Sequence, residues 1–236
     1  MTVLLVALTI VVLLAIDAVV RAVRVRWGIQ PAVAIAGRQL RTYPVRIQDG
    51  IFFSRSHTWL DLFPSGRVRL GVDDFVGRLL ERPEVIHLKA VGDFVKKGEP
   101  ILVLKEGDRS LTVRAPIEGE VLTRNDAIEE HHELLKEKLF SDGWAYTFRP
   151  SQLSELRQMK LGEETRRWIA NEFSRLRDVF AGVTVDEELV PALLQDGGAP
   201  VAGALKQMTN DVWQRFDQAF LRESEYEFDT GFCLGK

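Results

Sequence analysis

Cysteine is almost absent from this chain: among 236 residues there is one, Cys233, near the C-terminus. A lone thiol cannot close an internal disulfide or share a multi-cysteine metal site, so a disulfide framework is excluded and a reducing compartment is compatible. Reactive-thiol chemistry is not expected either, because Lys236 is the one basic residue near it and thiolate formation needs an electropositive setting. Excess charge of either sign is lacking as well. Lys and Arg number 31 against 34 Asp and Glu, a formal net charge of −3, whereas capture of phosphate backbones needs a basic excess. Nucleic acid is therefore not an expected partner. A phosphate-cradling loop is missing too, since Gly197 and Gly198 are not followed by a Gly-Lys-Thr pattern. No internal repeat or low-complexity tract occurs.

What is present begins with one long apolar run. From Val3 to Val20 nearly every residue is Val, Leu, Ile or Ala, about 18 residues that at ~1.5 Å each reach roughly across the hydrocarbon of a bilayer. Asp17, the one ionised group in the run, lies near its end, where a carboxylate can sit at the interface. No positive charge precedes the run, as it would in a cleavable secretory signal, whereas Arg21, Arg24 and Arg26 follow it, with Arg38 and Arg41 beyond. By the positive-inside rule these arginines hold the C-terminal side in the cytoplasm and leave the N-terminus outside. Residues 1–27 are expected to be a single-pass inner-membrane anchor, contacting the membrane through residues 3–20 with Trp27 at the interface. Residues 28–52 are expected to be a linker.

From Tyr43 to Pro150 short β-type runs alternate with Gly and Pro: Val45–Ile47, Thr58–Leu62, Arg67–Gly71, Val85–Lys89, Pro100–Leu104, Leu111–Arg114 and Gly119–Leu122. That spacing predicts a sandwich or barrel. Brief helices are predicted over Asp73–Leu80 and within Ile128–Leu139. After Pro150 the period becomes helical. Ser151 can cap a short helix, and Glu163–Phe180 puts Trp168, Ile169, Phe173, Leu176, Val179 and Phe180 on one face. Further helices are predicted over Asp186–Leu194 and Pro200–Leu221, the latter with a stripe of Val201, Leu205, Met208, Val212, Phe216 and Phe220. The fold class is α+β.

One constellation is specific. G-D-F-V-K-K-G, from Gly92 to Gly98, precedes a strand, a polar turn and a second strand, and then A-P-I-E-G-E-V from Ala115 to Val121. Physically these are two β-turn-β units whose middle strands pair as a hairpin. The arrangement resembles that of biotinyl and lipoyl carrier domains. Upstream, S-H-T-W (Ser56–Trp59) and G-V-D-D-F (Gly71–Phe75) are similar to the H-E-W and G-I-T-D-Y segments of the glycine cleavage H protein family, and G-W-A-Y-T-F (Gly143–Phe148) is similar to its closing strand. The resemblance covers about Phe53–Leu156. It implies a barrel-sandwich hybrid over residues 53–156, with residues 157–236 as a helical extension.

The same resemblance implies a lipoyl-bearing lysine seven residues before the alanine of the A-P pair, and counting back from Ala115 gives Asp108. A carboxylate offers no amine for a lipoyl amide, so no lipoate, no other cofactor and no catalytic residue are expected. Lys105, three residues earlier, is the nearest lysine and is expected to be a solvated strand residue. His131 and His132 stand among Glu129, Glu130 and Glu133, but neighbouring helix positions point about 100° apart, so a solvated helix and no metal are expected. His57 is expected to pack or to cap. The chain is accordingly expected to be a non-enzymatic scaffold or docking subunit at the cytoplasmic face, with a protein partner. The alternative is a lipoyl carrier that uses Lys105 to shuttle acyl, aminomethyl or reducing equivalents. An efflux-type membrane fusion subunit shares the fold but needs a long coiled-coil hairpin where this sequence has a short turn.

Overall fold

A computed structural model of the chain describes residues 45–181 and 202–222. Among the described residues nine strands form: β1 Phe52–Phe53, β2 Thr58–Leu62, β3 Val68–Val72, β4 Glu84–His87, β5 Phe94–Val95, β6 Pro100–Glu106, β7 Arg109–Arg114, β8 Gly119–Arg124 and β9 Tyr146–Pro150. They make two antiparallel sheets, ordered β1-β2-β3-β9-β8-β5 and β4-β6-β7. Side chains alternate across each sheet, so β7 buries Leu111 and Val113 while Ser110 and Thr112 face the other way. Leu60, Leu70, Val95, Leu104, Val121 and Phe148 fill the interior of this sheet-rich, barrel-sandwich-like domain.

Helix α1, Asp74–Leu79, starts at Asp73, whose carboxylate accepts the Val76 N–H. The predicted helix within Ile128–Leu139 is instead two single turns, α2 Ala127–Glu130 and α3 Leu134–Glu137. Helix α4 spans Glu163–Ala181 and presents the predicted apolar face, with Ile169, Phe173, Leu176 and Phe180 buried.

The stripe predicted as one helix over Pro200–Leu221 is broken. A 3₁₀ turn, Ala204–Gln207, is followed by extended Met208 (ψ 157°) and then by α5, Asn210–Phe216, which ends in a π-helical turn, Asp217–Leu221. The break has a cause: the Trp213 indole N–H donates to the Leu205 carbonyl at 2.7 Å, folding α5 back on the turn before it. Likewise Val45–Ile47 forms no strand, and Ser151 precedes a 3₁₀ turn over Leu153–Gln158 rather than capping it. The predicted anchor at residues 3–20 and the helix over Asp186–Leu194 lie outside the described residues. Among the described residues no helix is long and apolar enough to cross a membrane.

The C-terminal helices share the core of the β-domain. Phe173, Leu176, Val212, Phe216 and Phe220 belong to one continuous buried cluster with Phe75, Leu79, Leu104 and Val113. All described residues fall in one compact unit. Two motifs of the sequence meet within it, since Trp59 pairs with Gly71 across β2 and β3. A Cβ at Gly71 would lie 2.7 Å from the buried indole, too close for a rigid ring to yield. We expect Gly71→Ala to destabilise the chain by about 1–3 kcal/mol through this overpacking, read as a lower denaturant midpoint with unchanged slope. An unchanged midpoint would refute the packing role.

Candidate functional site

Next to its turn the β6–β7 hairpin pairs Lys105 with Ser110 and Glu106 with Arg109, which leaves Gly107 and Asp108 as a two-residue turn. Gly107 has φ +65°, and Asp108 is outside the positive-φ region, the pattern of a type II′ turn with glycine first. Asp108 is exposed at its second position. Lys105 stands in β6, exposed, with its ammonium 3.8 Å from Glu84, as a strand residue rather than a turn residue.

The residues on either side of the turn are engaged. Glu106 accepts the backbone N–H groups of Glu81 and Arg82 at 2.9 and 2.7 Å. Arg109 donates to the carbonyls of Lys206 and Met208 and lays its guanidinium 5.2 Å from the Trp213 ring centroid. Lys206 in turn pairs with Glu81, and its ammonium holds that carboxyl below its ordinary range. Because β7 is an edge strand, the Thr112 N–H points away from its sheet, and it donates to Asp217 at 2.9 Å. The hairpin is therefore flanked by the C-terminal segment. Neither Glu106, Arg109 nor Asp217 was singled out by the sequence, where each reads as one more surface charge.

A second centre joins the helices to the β-domain. His57 adopts a left-handed backbone, φ +57°, at the end of the β1–β2 connection, and its side chain is completely buried. Its Nδ1–H donates to Asp73 Oδ2 at 2.7 Å, while Nε2 lies 3.9 Å from Glu172 of α4. The ring stacks on Phe75 at 4.3 Å and on Trp168 at 4.9 Å. Burial works to lower its pKa, but the charge and hydrogen bond of Asp73, with Glu172 behind them, outweigh it and raise the value to about 9. Burial tends to raise the Glu172 carboxyl, yet His57 and Arg175 hold it below its ordinary value. His57 is thus packed, as expected, while Asp73 rather than His57 provides the cap. With both ring faces covered, no substrate can reach this imidazolium.

Elsewhere, His131 and His132 pair with Glu133 at 3.2 and 3.7 Å on an exposed turn. His87, Asp126 and Glu129 could share an ion, their ligand atoms lying within 4.8 Å of one another. Those atoms are already engaged: His87 bonds Glu129 at 2.6 Å and faces the Ala145 carbonyl, and Arg124 holds Asp126 at 2.5 Å. A cleft of about 370 Å³ is lined by Ser54, Arg55, Lys97, Pro116, Glu155 and Met159. Its Ser54 hydroxyl bonds Thr58 and Ser56, and its Glu155 accepts the Glu118 N–H.

The sequence model of the Glycine cleavage H-protein family matches residues 51–172. The H protein of Shewanella loihica is 32% identical over 104 residues, covering 44% of this chain and 81% of that protein. The probable H protein of Thermococcus gammatolerans is 29% identical over 110 residues, covering 47% and 81%. A crystal structure of a glycine cleavage system H protein from Mycobacterium marinum is 22% identical, covers 47% of this chain and 95% of its own, and superposes with a TM-score of 0.41. The matched span includes His57, Asp73 and Glu172 and ends before the segment that flanks the hairpin.

The buried pair has a pH signature. In the unfolded chain His57 loses its proton near 6.5, in the folded chain near 9. Between these values folding takes up a proton, so the contribution is complete below about pH 6.5 and is lost as pH rises through 9. We expect the stability gap between wild type and His57→Gln to narrow by on the order of 3 kcal/mol across that window, measured by chemical denaturation. A gap independent of pH would contradict the ion pair.

Proposed function

The chain belongs to the glycine cleavage H-protein family, and from that premise we propose that it is a non-enzymatic scaffold or docking module whose hairpin carries no lipoyl group. The observation that carries the reading is Asp108, at the exposed second position of the β6–β7 turn, where the resemblance puts the family's lipoyl lysine. A swinging arm needs an amide to a primary amine, and a carboxylate cannot supply one. In this the chain departs from what family membership alone would give. What it keeps is a rigid frame and, in its C-terminal helices, additional surface.

The same reading places that frame at a membrane. Val3–Val20, followed by Arg21, Arg24 and Arg26, serves as a single-pass anchor with the N-terminus outside and the folded unit on the cytoplasmic face of the inner membrane. There the module holds a protein partner near the bilayer and performs no chemistry of its own. Family membership supports one second reading, a lipoyl carrier modified at Lys105. Against it stand the position of Lys105 within β6 and its proximity to Glu84.

Intact-mass analysis separates the two. For full-length protein from cells supplied with lipoate and a lipoate ligase, we expect the unmodified mass. A lipoyl increment that disappears in Lys105→Ala would replace the scaffold by the carrier.

A further inference from the structure

We propose that residues 202–222 act as a collar, holding the β6–β7 hairpin as an internal docking joint and closing it to any enzyme that would grip the turn. The inference rests on the reading above, that this hairpin is not a carrier arm, and adds a barrier independent of the residue at position 108.

The collar is a closed circuit of named contacts. On one side of the turn Glu106 is fixed to the backbone of Glu81 and Arg82; on the other Arg109 is fixed to the carbonyls of Lys206 and Met208. The Lys206–Glu81 pair links the two sides, so the circuit runs Glu106, Glu81, Lys206, Arg109 and back across the hairpin. Because Arg109 reaches both carbonyls, the backbone of residues 206–208 lies within one side-chain length of the turn. Hydrogen bonds to charged groups are stronger than neutral ones, and five bonds of this kind surround two turn residues.

The edge of the hairpin is closed as well. An exposed edge strand can pair with an incoming strand, and the Thr112 N–H would be available for that pairing if Asp217 did not accept it. Nor is the collar a loose tail. The Gly203 N–H donates to the Arg78 carbonyl at 2.7 Å, and Leu205, Val212, Trp213 and Phe216 are buried. Lifting the collar would return those side chains to water, so the burial of apolar surface favours the closed arrangement.

An enzyme that attaches lipoate must bring the acyl carbon to an amine at the turn and accommodate the residues beside it. With ATP it forms the lipoyl adenylate and releases pyrophosphate; the neutral lysine Nζ then attacks the acyl carbon, forming the amide as AMP leaves and the amine gives up a proton. The test therefore restores the amine and asks whether it can be reached. Full-length Asp108→Lys is compared with Asp108→Lys/Arg109→Ala/Asp217→Asn, using lipoate, ATP and a purified lipoate ligase, with modification at position 108 followed by peptide mass. We expect the collar-opened variant to be modified at least tenfold faster. Rates within twofold of each other, whether both proteins are modified or neither is, would overturn the collar. Should the triple variant fail to fold, Asp108→Lys/Arg109→Gln is held to the same criterion. Wild-type protein in the same assay keeps the readings apart: a lipoyl group on it would remove the non-carrier reading and leave the rate comparison standing.

Discussion

Buried charge is costly unless it is paired, and the Asp73 carboxylate stands where three elements meet around such charge. One oxygen caps α1 through the Val76 N–H, and the other accepts from His57, whose far nitrogen faces Glu172 of α4. Removing one member of a buried set leaves the others uncompensated, a loss of about 3–5 kcal/mol. Helix α4 therefore cannot leave the β-domain without separating Glu172 from His57 and uncovering the face of the ring on which Trp168 stacks. Phe75 and Trp168 close over the ring from either side, and Phe220 of the C-terminal segment comes within 5.9 Å of it. The ion pair thus fixes the platform on which α5 rests, and α5 brings Asp217 and Trp213 to the hairpin.

The proposal that this fold holds rather than carries draws on that chain of dependence. Fold does not dictate function, and a barrel-sandwich frame is suited to an arm or to a joint according to what stands at its turn and beside it. Here a type II′ turn with Asp108 exposed, Glu106 tied to the α1–β4 connection and Arg109 tied to residues 206 and 208 makes the hairpin part of an internal interface. The elements outside the family match thus complete the architecture within it.

Much of the β-domain was legible in the sequence because its signals are local. Strand β2, Thr58–Leu62, and the hairpin follow from short β-type runs about a polar turn, and the brief helix predicted over Asp73–Leu80 is found as Asp74–Leu79. Strands β1 and β5 were missed because two residues are too few to show a period. The 200–221 stripe misled for a tertiary reason: its spacing is helical, but the Trp213–Leu205 hydrogen bond stabilises a break that spacing cannot reveal. The polar turn between the two strands was legible, whereas its surroundings were not. Arg109 meets residues 206 and 208 across nearly a hundred positions of chain, and nothing in either segment announces the other.

Native-state hydrogen exchange tests whether hairpin and C-terminal segment form one cooperative structure. If they do, the amides of Thr112, of α5 and of the β6 interior at Leu104 open with the same free energy. Exchange of Thr112 and α5 several powers of ten faster than Leu104 would mean that the segment undocks by itself, and would contradict that cooperativity.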